Sequence, residues 1–225
     1  METIDTNRIL ESIEKREVDP EGLDLILREL IDLCAISVLP APIYGYMSQM
    51  YYWKGEVSDK TGKLNLYEHA VFFAKMGVKN DPHCVISNFW LGTNLGLLGQ
   101  EKGILSSLFL LLDIEFHLKE SLKLDESYFH GAPHRALGWL YHILPPWPIS
   151  SGDNKKAIYH LEKAIAFGKE FPLNYIYAGE IYISLGKKKE ATEVLTKLSN
   201  WPEDPWHKNE NLPFIQKASA LLEKI

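Results

Sequence analysis

The residues best suited to chemistry in this 225-residue chain are its histidines, its two cysteines and a few paired carboxylates. His130 and His134 are four apart, a spacing that on one helix face can hold a metal ion. Pro133 lies between them, so His130 is expected to precede the helix and the shared face to be lost. No third ligand stands nearby, and His69, His83, His117, His142, His160 and His207 are scattered. Cys34 and Cys84 show neither a CxxC nor metal-ligand spacing, and read as small buried core residues. Glu203 and Asp204 fall in a linker and Lys187–Lys189 at a helix–helix turn, where solvation accounts for both. There is no GxSxG, no P-loop and no glycine-rich phosphate fingerprint. The chain reads as non-enzymatic, with no cofactor and no metal site expected.

What the chain does carry is a helical pattern. In Asn174–Leu198, Tyr175, Ala178, Gly179 and Tyr182 share one face, and Gly179 leaves a gap for a neighbouring helix. Gly186 supplies a turn, and Ala191, Val194, Leu195 and Leu198 then recur at i, i+3, i+4, i+7, an amphipathic stripe. This spacing resembles a tetratricopeptide pair, which cannot bury its apolar face alone and should repeat. Projected backwards, it matches Leu91-Gly92 with Leu95 and Gly99, then Leu137-Gly138 with Tyr141, and more weakly Met47-Ser48 with Tyr51 and Gly55. The expected fold class is all-α, a tetratricopeptide-like solenoid of about four helix pairs over residues 40–200. Residues 1–39 supply N-terminal helices and 208–225 a capping helix, all in a single repeat domain, 1–225.

The small residues Ser48, Gly92, Gly138 and Gly179 stand 44, 46 and 41 positions apart, against about 34 for a plain unit. The excess is placed between the two helices of each of the first three pairs, at residues 56–65, 100–111 and 145–151. Insertions at one point of a repeat emerge on one edge, often the working edge. Leu105, Leu108, Phe109, Leu110, Leu111 and Trp147 in them are costly to leave in water, at about 1.5–3 kcal/mol each. They are expected to fold over the solenoid, line a pocket or meet a partner.

The ends are read from their prolines. A lead-in helix is expected over 5–17, and Asp19-Pro20 starts the next, which should stop before Pro40. The closing helix is placed at 211–225, with Pro213 in its first turn and Trp201 and Trp206 packed where it turns back.

The first helix of each pair lines the concave face of such an array. Its inward positions lie three before, one after and four after the small residue. The candidate binding residues are therefore Tyr52, Phe89, Thr93, Arg135, Trp139, His142, Ile176 and Glu180, with Gln49, Gly96 and Ile183 also at such places. Aromatics with a few polar anchors suit a ligand or peptide site. The other reading is that the inserts and terminal helices fill the groove, leaving these residues as core.

Composition narrows the partners. Hydrophobic residues at 46% and charged residues at 24% are ordinary for a soluble globular protein, and a net charge of −6 argues against nucleic acid. No apolar run reaches the ~18 residues that a bilayer span needs. The N-terminus is charged and lacks a signal peptide's apolar core, so the chain as written is expected to be soluble and cytoplasmic.

Two stretches point to a particular family. Residues 88–111, NFWLGTNLGLLGQEKGILSSLFLL, and 127–165, SYFHGAPHRALGWLYHILPPWPISSGDNKKAIYHLEKAI, resemble the T-component proteins of tripartite ATP-independent periplasmic (TRAP) transporters. The likeness covers roughly residues 40–200, with Ala132 standing where a second glycine is expected. The resemblance implies a helical solenoid with a hydrophobic channel, a periplasmic solute-binding partner, no catalysis, and export with a lipid anchor. On that reading an apolar ligand or a partner's tail sits among the inserts, Phe89, Trp139 and His142, with Arg135 pairing to a carboxylate. The rival is a cytoplasmic tetratricopeptide adaptor that grips a peptide in its groove. A homo-oligomer is compatible with either.

Overall fold

The computed structural model describes residues 4–225; the side chains of 104–106, and with them the insert residue Leu105, lie outside the described set. The described residues form eleven helices. They run α1 Thr6–Glu14, α2 Pro20–Ile36, α3 Ala41–Val57, α4 Lys60–Asn80, α5 Val85–Lys102 and α6 Ile104–Leu124. Then come α7 Tyr128–Ile143, α8 Asn154–Phe167, α9 Pro172–Ser184, α10 Lys188–Ser199 and α11 Lys208–Leu222. The expected all-α, tetratricopeptide-like class holds. The chain divides into two compact units, Met1–Asp125 and Glu126–Ile225.

In the first unit, Asp5 and Asp19 cap α1 and α2, the latter accepting from Gly22 N at 2.9 Å. The lead-in helix ends at Glu14, short of the expected residue 17. α2 stops at Ile36, and Pro40 caps a new helix whose first turn tolerates Pro42. Helix α3 pairs with α4 and α5 with α6, and α5 packs on both members of the preceding pair. Around α1–α3, Ile9, Ile26, Leu27, Leu30, Tyr44, Met47 and Met50 form the core.

In the second unit, α7 pairs with α8 and α9 with α10, and α11 closes on α9 and α10. The closing helix begins at Lys208, so Pro213 sits in its second turn, where it forgoes the bond to the carbonyl four residues back. Trp201 does pack at the return, 5.2 Å from Tyr175, whereas Trp206 is exposed.

The glycine notches fix the register within pairs. A Cβ on Gly92 would lie 2.8 Å from Leu118 Cγ, on Gly138 2.9 Å from Leu161 Cγ, and on Gly179 2.4 Å from Leu195 Cδ2. The second helix thus reaches its notch 26, 23 and 16 residues downstream, which locates the excess length between the paired helices. Its form differs from the expectation in the first two pairs. There the extra residues lengthen the helices: α3 and α4 meet at Ser58-Asp59, and α5 turns into α6 through Gly103 alone, at φ +97. A glycine there allows the reversal that other residues resist. Only 145–151 is an irregular insert. It is closed by Gly152 N donating to Pro145 O at 3.0 Å, with a cis bond between Trp147 and Pro148.

Among the described apolar insert residues, Leu110 and Leu111 are half-buried and the rest stay open. Phe109 is 86% exposed, Leu112 81% and Trp147 85%, with Leu108 and Phe116 also open.

Candidate functional site

The sequence-derived site residues divide between the two units. In the first, Tyr52 on α3 packs its ring 4.9 Å from Trp90 of α5 and edge-on to Trp53 at 4.7 Å. Tyr52 stays half-buried, while Phe89 and Gln49 are buried. Thr93 is half-buried, yet its Oγ1 is shut from solvent without a hydrogen-bond partner, as is Trp53 Nε1. An unmet buried polar atom costs about 1–3 kcal/mol, so a ligand group that met it would bind the more tightly. A Cβ on Gly96 would meet nothing within 4 Å, so the face beside Thr93 is open.

In the second unit, Trp139 of α7 stacks on Tyr177 of α9, with centroids 4.5 Å apart and planes 24° apart. Both rings stay half-buried. His142 stands 5.9 Å from the indole, its Nδ1 3.0 Å from Asn154 Oδ1. Glu180, one turn beyond Tyr177, pairs with Lys217 of α11 at 2.7 Å. These side chains make an aromatic shelf with polar groups at its margins, which suits an apolar ligand or a partner's side chain.

Arg135 and Ile176 lie elsewhere. Ile176 is buried at 1% exposure. Arg135, at 5%, donates from Nη1 to Asn174 Oδ1 at 2.9 Å and lies over the Phe171 ring at 4.5 Å. Its guanidinium belongs to the interior packing around Asn174 and Phe171. Around it the chain makes a left-handed turn, with φ of 43 at Phe129, 61 at His130 and 74 at Gly131. Pro133 sits in the first regular turn after it, so His130 and His134 share no helix face. His130 instead stacks on Phe171 at 4.9 Å.

His134 turns the other way, into the α7–α8 seam. Its Nδ1 lies 2.8 Å from Nδ1 of His160 and its Nε2 3.3 Å from Glu126 Oε2. Donating from Nε2 to the carboxylate leaves Nδ1 to accept from His160. Burial pushes the His134 pKa down, partly opposed by Glu126. The same two positions of the preceding pair hold Asn88 and His117, 2.9 Å apart. Among the described residues no group of three His, Cys, Asp or Glu side chains is placed to hold a metal ion.

Tyr177, absent from the sequence-derived set, had a signal. The position two before the small residue is aromatic in three of the four pairs: Tyr46, Trp90 and Tyr177. Asn174 had none, because its partners are distant backbone carbonyls.

A family model described as the TRAP transporter T-component matches residues 79–225. Among solved structures, a thermophilic TPR protein of Thermus thermophilus superposes with a TM-score of 0.68 at 16% identity. The match covers 96% of this chain and 98% of that one. MamA superposes at 0.51 with 17% identity, covering 94% and 95%. Both similarities concern the fold. No curated protein matches the chain.

Proposed function

The chain belongs to the TRAP transporter T-component family, and on that premise we propose that it is a non-enzymatic binding protein of a tripartite ATP-independent periplasmic transport system. Its work is to hold an apolar ligand and to engage the system's solute-binding protein on the periplasmic side. The observation that carries this reading is the Trp139–Tyr177 shelf, two stacked rings left half-open with His142 and the Glu180–Lys217 pair beside them. Large aromatic faces give binding area at small entropic cost, and the flanking polar groups give orientation. In the first unit the half-buried Tyr52, backed by the buried Trp90, offers a smaller aromatic face. The open stripe of Leu108, Phe109, Leu112 and Phe116 on α6 supplies a face for the protein partner. Among the described residues no helix is long and apolar enough to cross a membrane.

Native mass spectrometry of the purified chain, set beside a denatured sample, tests the ligand. A retained apolar compound that is lost in Trp139→Ala supports the reading. Titration with the solute-binding protein of the same transporter tests the partner. If neither binds, while an extended peptide competes for Trp139, the chain is a peptide adaptor and the proposal fails.

A further inference from the structure

The N-terminal helices hold a further surface, of different character and outside the residues the family model matches. Residues 1–39 carry ten acidic and four basic side chains, a net −6. The whole chain also carries −6, so residues 40–225 are neutral and the charge is concentrated on α1, α2 and their flanks.

Between these helices runs a groove of about 550 Å³. Its floor includes Ile9, Ile26 and Leu30, all buried, with Leu33 and Ile36 continuing the α2 wall. Ile36 is 82% exposed, and Val38 beyond it 78%. Ile26 to Ile36 spans ten residues of one helix, about 15 Å, the length of nearly three turns of a docked helix. The margins are acidic. Asp5 caps α1, Asp32 is exposed, and Glu29 takes both Nη atoms of Arg8 across the groove at 2.7 and 3.1 Å.

We propose that this groove docks an amphipathic helix of a protein partner, apolar along one face with Lys or Arg along its edges. The apolar floor supplies affinity, and the concentrated negative charge selects for sign and speeds encounter. A flat acidic surface would attract cations without ordering them. An apolar groove without the acids would not prefer basic helices. The pairing of the two on α1 and α2 defines the occupant.

The test titrates the full chain with a labelled 18-residue Lys/Leu peptide of helical periodicity, and with an isomer of the same composition whose leucines are spread round the helix. The amphipathic peptide is expected to bind about tenfold or more tighter than its isomer, and to weaken with salt. Asp32→Lys and Ile36→Ser are both exposed changes, and circular dichroism of each variant is the check that its fold is intact. Each should weaken binding about tenfold, while Val57→Ser, an exposed change at the end of α3, leaves it unchanged. Equal binding of the two peptides, or indifference to both groove variants, overturns the proposal. So does self-association of the chain that Ile36→Ser abolishes, since the groove's occupant is then a second copy. Because Trp139 lies outside this surface, a failed groove leaves the reading of the shelf untouched.

Discussion

The side-chain amide of Asn174 holds the main-chain carbonyl of His130 at 3.1 Å, across 44 residues of sequence. The same Nδ2 lies within 2.9 Å of Ala164 O and 3.0 Å of Gly168 O, and Oδ1 accepts from Arg135. One buried amide thus ties together the left-handed turn at the start of α7, the end of α8 and the start of α9. Two non-glycine residues in left-handed conformation cost about 1–2 kcal/mol each, and such strain persists only where the surroundings hold it.

Asn174→Ala removes that tie and strands polar groups in the interior. It should destabilise the second unit by about 2–4 kcal/mol, read as a lower urea midpoint. Because Phe171 and His130 would lose their anchor, near-ultraviolet circular dichroism should change even in folded protein. A midpoint shift below about 0.5 kcal/mol in equivalent stability would show that the turn holds itself.

The glycines separate into two kinds, and alanine tells them apart. At Gly179 a Cβ falls 2.4 Å from Leu195 Cδ2, so Gly179→Ala should cost about 1–3 kcal/mol from overpacking, less the helix propensity it gains. At Gly96 nothing lies within 4 Å, so Gly96→Ala should stabilise by about 0.5–1 kcal/mol. Thermal unfolding of the two variants should move in opposite directions. Equal shifts would refute the notch.

These notches explain what was legible in the sequence. A small residue beside a large one, at fixed distance from a turn, reports a close helix approach, so the pairs and register could be read from residues 92, 138 and 179. The inserts could be located by arithmetic but not shaped. Gly103 reads as a breaker, yet one residue with positive φ lets α6 begin at once. The apolar run after it suggested burial, but α6 carries apolar residues round more of its surface than α5 covers, so Phe109 and Leu112 stay open. Counting inward positions picked out Trp139 and Glu180, which lie half-buried beside Tyr177 and Lys217. Counting could not show that Arg135 would turn into the packing, since that depends on Asn174 and Phe171, far along the chain.

The stability of both units should fall as the medium turns mildly acidic. His117 in the first unit and His134 in the second have pKa values pushed by burial below the ordinary 6.5. The folded state binds those protons less readily than the unfolded chain, so their contribution is present above pH 6.5 and is lost as pH falls through and below it. The lowered carboxylates Asp153 and Glu190 act in the same direction, but near and below pH 4. Urea midpoints between pH 7.5 and 5.5 should therefore drop, and His134→Asn should flatten the drop for the second unit. An unchanged slope in that variant would place the effect elsewhere.

Exposed apolar residues on α6 should matter to binding and not to folding. Phe109 is 86% exposed and Leu112 81%, so serine at either place forfeits little packing and should change stability by less than about 0.5 kcal/mol. If the stripe is the face for the protein partner, the double change Phe109→Ser and Leu112→Ser should weaken binding of the solute-binding protein by about 2 kcal/mol or more, mostly through faster dissociation. Ligand retention at the Trp139 shelf should not change. Surface plasmon resonance separates the two rates, and native mass spectrometry follows the ligand. A double variant that binds the partner as the parent does would remove α6 from the interface, while loss of both activities would mean the two surfaces are coupled.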